Sequence, residues 1–156
     1  MASTLVRRDW IPAGIIAGLI AGLTLELFLA AAQWSKGGAA GAIAGIEWTA
    51  SVAAGNGVIG QPYAVPLGLA LHFATSILWA FGFLYVADRQ PQLFARPFIS
   101  GLGFGIVVYF LMQALLVPAG KFAGMTIYSF DRDIVAHTLF FGVPLSLIVA
   151  RLARPR

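Results

Sequence analysis

The sequence lacks cysteine, has few charged residues and contains only two histidines. Without cysteine, its 156 residues form no disulfide, no thiolate metal site and no thiol nucleophile. Charged residues make up 10% of the chain and apolar residues 60%, which lies outside the range of soluble domains. The sequence has no phosphate-binding glycine loop, no nucleophile elbow and no basic recognition helix. We therefore predict an integral membrane protein that contacts the lipid bilayer, is not an enzyme and binds no nucleic acid.

Long apolar runs dominate the rest of the sequence. They predict an all-α membrane protein with four transmembrane helices in a bundle, at about 11–32, 66–87, 97–117 and 134–151. Each run is close to the ~20 residues that cross the hydrocarbon core. Together they form a single domain over residues 1–156. The long first connection is also apolar, and residues 38–54 predict a short extra helix over the outer mouth of the bundle or in the membrane interface. Pro144 predicts a kink that frees a backbone carbonyl in the last helix.

The positive charges indicate how the chain is oriented in the membrane. On the side of the two termini lie Arg7, Arg8, Arg89, Arg96, Arg151, Arg154 and Arg156; on the other side lie Lys36, Lys121 and Arg132. Because loops rich in Lys and Arg stay in the cytoplasm, this bias predicts that both termini are cytoplasmic. The formal net charge of +4 is then explained by membrane orientation and does not by itself indicate an acidic binding partner.

Two of the predicted helices carry glycines at four-residue spacing. The first has Gly14, Gly18 and Gly22, and the third has Gly101 and Gly105. Residues four apart lie on nearly the same face of a helix, so these glycines form flat surfaces where a second helix backbone approaches closely. We predict that they are helix-packing positions.

One polar side chain lies near the same end of each predicted helix: Glu26, His72, Gln113 and His137. With a rise of 1.5 Å per residue, all four reach a similar depth in the outer half of the membrane. Thr75, Ser76, Tyr109 and Asp133 lie nearby, and Asp133 is placed to cap the fourth helix. Ionisable groups cost several kcal/mol in lipid, so this polar intramembrane cluster predicts a ligand or proton site. Its alternative role is structural, as interfacial anchors and interhelical hydrogen bonds.

Three segments resemble a known family. They are residues 71–85, residues 108–118 with Tyr109, Met112, Gln113 and Pro118, and residues 136–144 with His137, Gly142 and Pro144. These segments resemble YagU-type and related small four-helix bacterial inner-membrane proteins, most of which are uncharacterised. The resemblance implies a multi-pass protein of the bacterial inner membrane. It also implies a polar site at Gln113, where the YagU-type pattern has a histidine.

Three functions remain open at the level of sequence. The favoured one is a self-associating protein or an accessory subunit of a membrane assembly, in which the glycine faces bind helices. The first alternative is a small transporter or channel coupled to a proton or a solute, with Glu26 as the titrating group. The second is binding of haem or a chlorin through His72 and His137, or of a divalent metal through these histidines and Glu26. The sequence does not identify a cofactor.

Overall fold

A computed structural model describes residues 10–116 and 130–153 of the chain. These residues are helical or lie in short turns, and none of them is in a strand. Four helices are long and apolar enough to cross a membrane: Trp10–Ala54, Ala64–Arg89, Pro97–Leu115 and Phe130–Leu152. The expectation of an all-helical chain with four apolar helices is confirmed.

The first helical segment, Trp10–Ala54, is interrupted at Gly37 and Gly38. We call residues 10–36 helix α1 and residues 39–54 helix α2. Gly38 has φ +59° and ψ −149°, a backbone conformation that is open essentially only to glycine. Helix α2 is the extra helix predicted in the first connection, and a short 3₁₀ turn, Asn56–Val58, follows it.

The remaining elements are α3 (Ala64–Arg89), the single turn α4 (Gln92–Ala95), α5 (Pro97–Leu116) and α6 (Phe130–Leu152). The sequence placed the end of the first helix four residues too early and the start of the fourth four residues too late. Apolar periodicity does not mark these ends, because both helices continue into polar residues next to the connections. Most of the second predicted outer loop, which includes Pro118, lies outside the described residues.

Helices α1 and α3 cross through the glycine face of α1. A Cβ atom on Gly14 would meet the ring of Phe81, and one on Gly18 would lie 2.5 Å from the Ile77 Cα. One on Gly22 would lie 2.8 Å from the Ser76 hydroxyl. As the residue number rises along α1, the facing residue in α3 falls, so the two helices run antiparallel.

Helices α5 and α6 cross in the same way. A Cβ atom on Gly101 would meet Ser146 and Gly142, and one on Gly105 would meet the carbonyl oxygen of His137. The close approach includes a glycine from α6, because a Cβ on Gly142 would meet the backbone of Gly101 and Gly105. The sequence pattern missed Gly142 as a packing position.

Helix α6 changes its hydrogen bonding in the middle, where Ala136–Gly142 form a π-helical segment. The Val143 N–H donates to the Thr138 carbonyl five residues back. Pro144 follows and has no N–H for the Phe140 carbonyl four residues earlier. The Thr24 hydroxyl of α1 donates to that carbonyl at 2.5 Å, which ties α1 to α6.

The apolar core lies toward the helix ends that carry the two termini. Alanines on α1 pack there against large side chains from α3 and α6; the buried members include Ala13, Ala17, Phe83, Leu84, Leu145 and Val149. Helices α3 and α5 meet through aromatic edges, with Phe104 against Trp79 and Phe83. The opposite ends of the helices, where α1 and α5 end and α3 and α6 begin, are called the loop end below.

Candidate intramembrane site

A cavity of about 740 Å³ opens among the helices at the loop end. Glu26 from α1, His72 from α3, Gln113 from α5 and His137 from α6 all line it. The structure therefore brings together the four side chains that the sequence placed at one depth. Cavities of roughly 300–1,000 Å³ with mostly apolar walls and a few polar groups are typical of small-molecule sites.

Most of the remaining wall is apolar or aromatic. Its apolar residues include Leu25, Leu29, Ala30, Leu71, Trp79, Val108, Met112 and Phe141. Helix α2 covers the loop end of the cavity with Ala42, Gly45, Trp48, Thr49 and Val52. This helix is held against α3, since a Cβ on Gly68 would meet the Ile46 carbonyl oxygen. Small residues on both helices thus allow α2 to close over the site.

The side chains of Glu26 and His72 meet across the α1–α3 contact. Their Oε2 and Nδ1 atoms are 3.5 Å apart, and both side chains are largely buried. The second ring nitrogen, Nε2, lies 2.9 Å from the Gly22 carbonyl oxygen. A carbonyl oxygen only accepts, so Nε2 carries a hydrogen and donates it. Both nitrogens of His72 are therefore engaged, and Nδ1 faces the carboxyl group.

His137 lies on the opposite wall and is held by its own helix. Its Nδ1 lies 2.7 Å from the Asp133 carbonyl oxygen, so Nδ1 donates and the neutral ring presents Nε2 as an acceptor. The Asp133 carboxylate accepts a 2.7 Å hydrogen bond from Arg132 Nε. The expected cap at Asp133 is wrong: α6 already begins at Phe130, and the carboxylate pairs with Arg132.

Tyr109 and Gln113 form a third polar group on α5. They lie one helical turn apart and both line the cavity, and the Tyr109 ring meets the edge of His137 with centroids 5.6 Å apart. Tyr109 is buried, and it packs one face of the site against α6.

The α3 wall carries Thr75, Ser76 and Trp79 below His72. Among the described residues, the Trp79 indole N–H is buried and has no hydrogen-bond partner. A buried donor without a partner costs about 1–3 kcal/mol, and this one lies at the inner end of the cavity wall. Trp79 is not among the site residues predicted from the sequence. Apolar spacing gives no sign that its N–H lacks a partner.

The histidines do not form a ready metal or paired-haem site. No group of three His, Cys, Asp or Glu in residues 10–116 and 130–153 is close enough to hold a metal ion. Ligation needs a free ring nitrogen, and both nitrogens of His72 are engaged. His137 alone presents one. The geometry therefore does not favour ligation of one iron by both imidazoles.

Comparison with known proteins leaves this site to be interpreted from its own geometry. No protein-family model matches the chain, and no curated protein or solved structure matches it.

Proposed function

We propose that the chain is a multi-pass protein of the bacterial inner membrane, with its four apolar helices packed as a bundle and both termini in the cytoplasm. The excess of Arg and Lys on the side of the termini supports this orientation. The antiparallel glycine crossings of α1 with α3 and of α5 with α6 support the bundle. The cavity then lies in the outer half of the membrane. Membership of the YagU-type group stays a prediction.

Within this frame we propose that the protein binds a small, largely apolar molecule in the cavity and does not act on it chemically. One observation carries the proposal: four polar side chains from four helices line a single cavity whose other walls are apolar. The polar groups would fix the orientation of the ligand, and the apolar walls would supply most of the affinity.

The structure changes the support for the assembly-subunit hypothesis. That hypothesis relied on the glycine faces to bind other subunits. Gly14, Gly18 and Gly22 contact α3 instead, and Gly101 and Gly105 contact α6, all within one chain. Replacing Gly18 or Gly105 by Leu would therefore disturb the fold before it tested association. A homo-oligomer or a membrane partner stays a prediction that would use other, lipid-exposed faces.

The transporter hypothesis also lacks a continuous path in this structure. Below the cavity, toward the termini, buried apolar residues such as Ala17, Phe83, Leu84 and Val149 fill the space between α1, α3 and α6. A cavity at one end and a dry core at the other suit a binding site that is reached from one side. Binding is therefore the simpler proposal.

Filling the cavity tests the proposal. Thr75 lines the cavity, and Ala74 beside it faces away and is exposed. We expect Thr75→Phe to abolish binding of N-phenyl-1-naphthylamine, an uncharged aromatic probe. The matched variant Ala74→Phe should bind it like the wild type. Native mass spectrometry of protein released from nanodiscs would count the bound probe.

Two results would contradict the proposal. One is the absence of any probe complex with the wild-type protein. The other is equal occupancy in Thr75→Phe, which would place the probe in the surrounding lipid or on the outer surface.

A further inference from the structure

The geometry of the Glu26–His72 pair provides a place for one proton between the two side chains. Since Nε2 of His72 donates to the Gly22 carbonyl, a second hydrogen on the pair must lie on Nδ1 or on the Glu26 carboxyl. Without that proton, the Nδ1 lone pair would face a carboxylate 3.5 Å away. With it, the pair is either imidazolium with carboxylate or imidazole with carboxylic acid, and both forms are neutral overall.

No other charged group that lines the described cavity neutralises the Glu26 carboxylate in place of this proton. Asp133 is already paired with Arg132, and Lys36 is exposed at the rim. His137 donates to the Asp133 backbone carbonyl, and the Tyr109 ring packs edge-on against His137. The lining residues of α2 contribute no titratable group within the described chain. Two carboxylates line the cavity in the described part of the chain, Glu26 and Asp133. Asp133 is paired with an arginine, which stays charged, whereas Glu26 faces a histidine, which can lose a proton.

Loss of the proton leaves one negative charge inside the membrane. A charged side chain costs free energy inside the membrane, so the deprotonated pair is disfavoured until a positive charge replaces the proton. The walls around the pair include the rings of Trp48, Trp79 and Tyr109, whose faces attract cations.

Building on the proposed function, we infer that the cavity binds a lipophilic organic cation in exchange for the proton of the Glu26–His72 pair. One proton leaves the pair to solvent and one monovalent cation enters, so the charge of the cavity stays constant. The exchange makes and breaks no other covalent bond. The Glu26 carboxylate binds the entering cation. His72 is left neutral and still donates its Nε2 hydrogen to the Gly22 carbonyl.

The exchange has a defined dependence on pH. Where the pair is protonated, each unit of falling pH weakens cation affinity tenfold, because one proton competes with one cation. Above the midpoint of the pair, affinity becomes independent of pH. Binding of tetraphenylphosphonium to the detergent-solubilised full chain, titrated calorimetrically between about pH 5 and pH 9, would show this slope. Repeating it in buffers of different ionisation enthalpy should count one proton released per cation.

Substitutions separate this inference from the proposed function. Glu26→Gln should lose at least tenfold in tetraphenylphosphonium affinity while it still binds N-phenyl-1-naphthylamine. Glu47→Gln is the matched control, since that carboxylate accepts from the Gly60 N–H outside the cavity lining. His72→Gln retains the carboxylate, so it should keep the pH slope. All three variants should show the wild-type helical circular dichroism.

The outcomes are distinguishable. Cation affinity that does not change with pH, or that is equal in Glu26→Gln and the wild type, would overturn the exchange while leaving the neutral-probe site intact. Failure of the wild-type protein to bind either probe would overturn the proposed function itself. If Glu26→Gln fails to fold, the wild-type proton count still decides, because a value of zero contradicts the exchange.

Discussion

Replacing Gly105 by alanine should destabilise the protein, whereas the same change at Gly103 should not. The two glycines lie two residues apart in α5, one against α6 and the other exposed. A Cβ on Gly105 would lie 2.6 Å from Thr138 Cα and 2.8 Å from the His137 carbonyl carbon. A Cβ on Gly103 would meet nothing within 4 Å. The two alanine variants therefore add the same methyl group, at Gly105 against the backbone of α6 and at Gly103 in open space.

The magnitude follows from these contacts. Ordinary carbon contacts are about 3.5–4.0 Å, so α5 and α6 would have to separate by roughly 1 Å at this crossing. Overpacking of this kind costs about 1–3 kcal/mol. Gly103→Ala removes only the flexibility of glycine and is expected to be neutral or stabilising by up to about 1 kcal/mol.

Equilibrium unfolding in mixed micelles with increasing sodium dodecyl sulfate, followed by far-ultraviolet circular dichroism, would measure both variants. We expect Gly105→Ala to unfold at a lower detergent fraction than Gly103→Ala. Equal stability, or a more stable Gly105→Ala, would refute the close α5–α6 crossing. The same variant should also disturb the cavity, because the displaced backbone belongs to His137.

Two further predictions use the same unfolding assay. Gly38→Ala should cost about 1–3 kcal/mol because φ is +59° there, whereas Gly37→Ala, with φ −142° and equally open space, should cost little; similar losses would contradict the break between α1 and α2. Thr24→Val should cost about 0.5–1.5 kcal/mol by removing the donor to the Phe140 carbonyl, whereas Thr24→Ser keeps it; a valine variant as stable as the serine variant would argue against this hydrogen bond.

The sequence predicts which residues line the site better than it predicts the hydrogen bonds that they make. Helical spacing and depth are enough to place Glu26, His72, Gln113 and His137 on one cavity, because both depend only on a fixed rise and turn per residue. Which hydrogen bonds each side chain makes depends on neighbouring backbones. The engagement of both His72 nitrogens, one with Gly22 and one with Glu26, could not be predicted from spacing.

Helix α6 shows where the sequence pattern fails. Asp133, His137, Phe141 and Leu145 share a face if the helix keeps an α-helical period throughout. The π-helical segment breaks this period, and Gly142, which lies off that stripe, packs against both Gly101 and Gly105 of α5. Pro144 signalled an irregularity at the right place, but a kink and a wider turn are not distinguishable from one proline.

The wide turn in α6 also divides that helix into two parts with independent roles. A π-helical turn holds one residue more than an α-helical turn, and each residue in a helix turns the chain by about 100°. After Gly142, Leu145 and Val149 are fully buried in the dry core, whereas Asp133 and His137 before it line the cavity. One helix thus supplies a polar wall to the cavity on one side of its wide turn and apolar side chains to the core on the other.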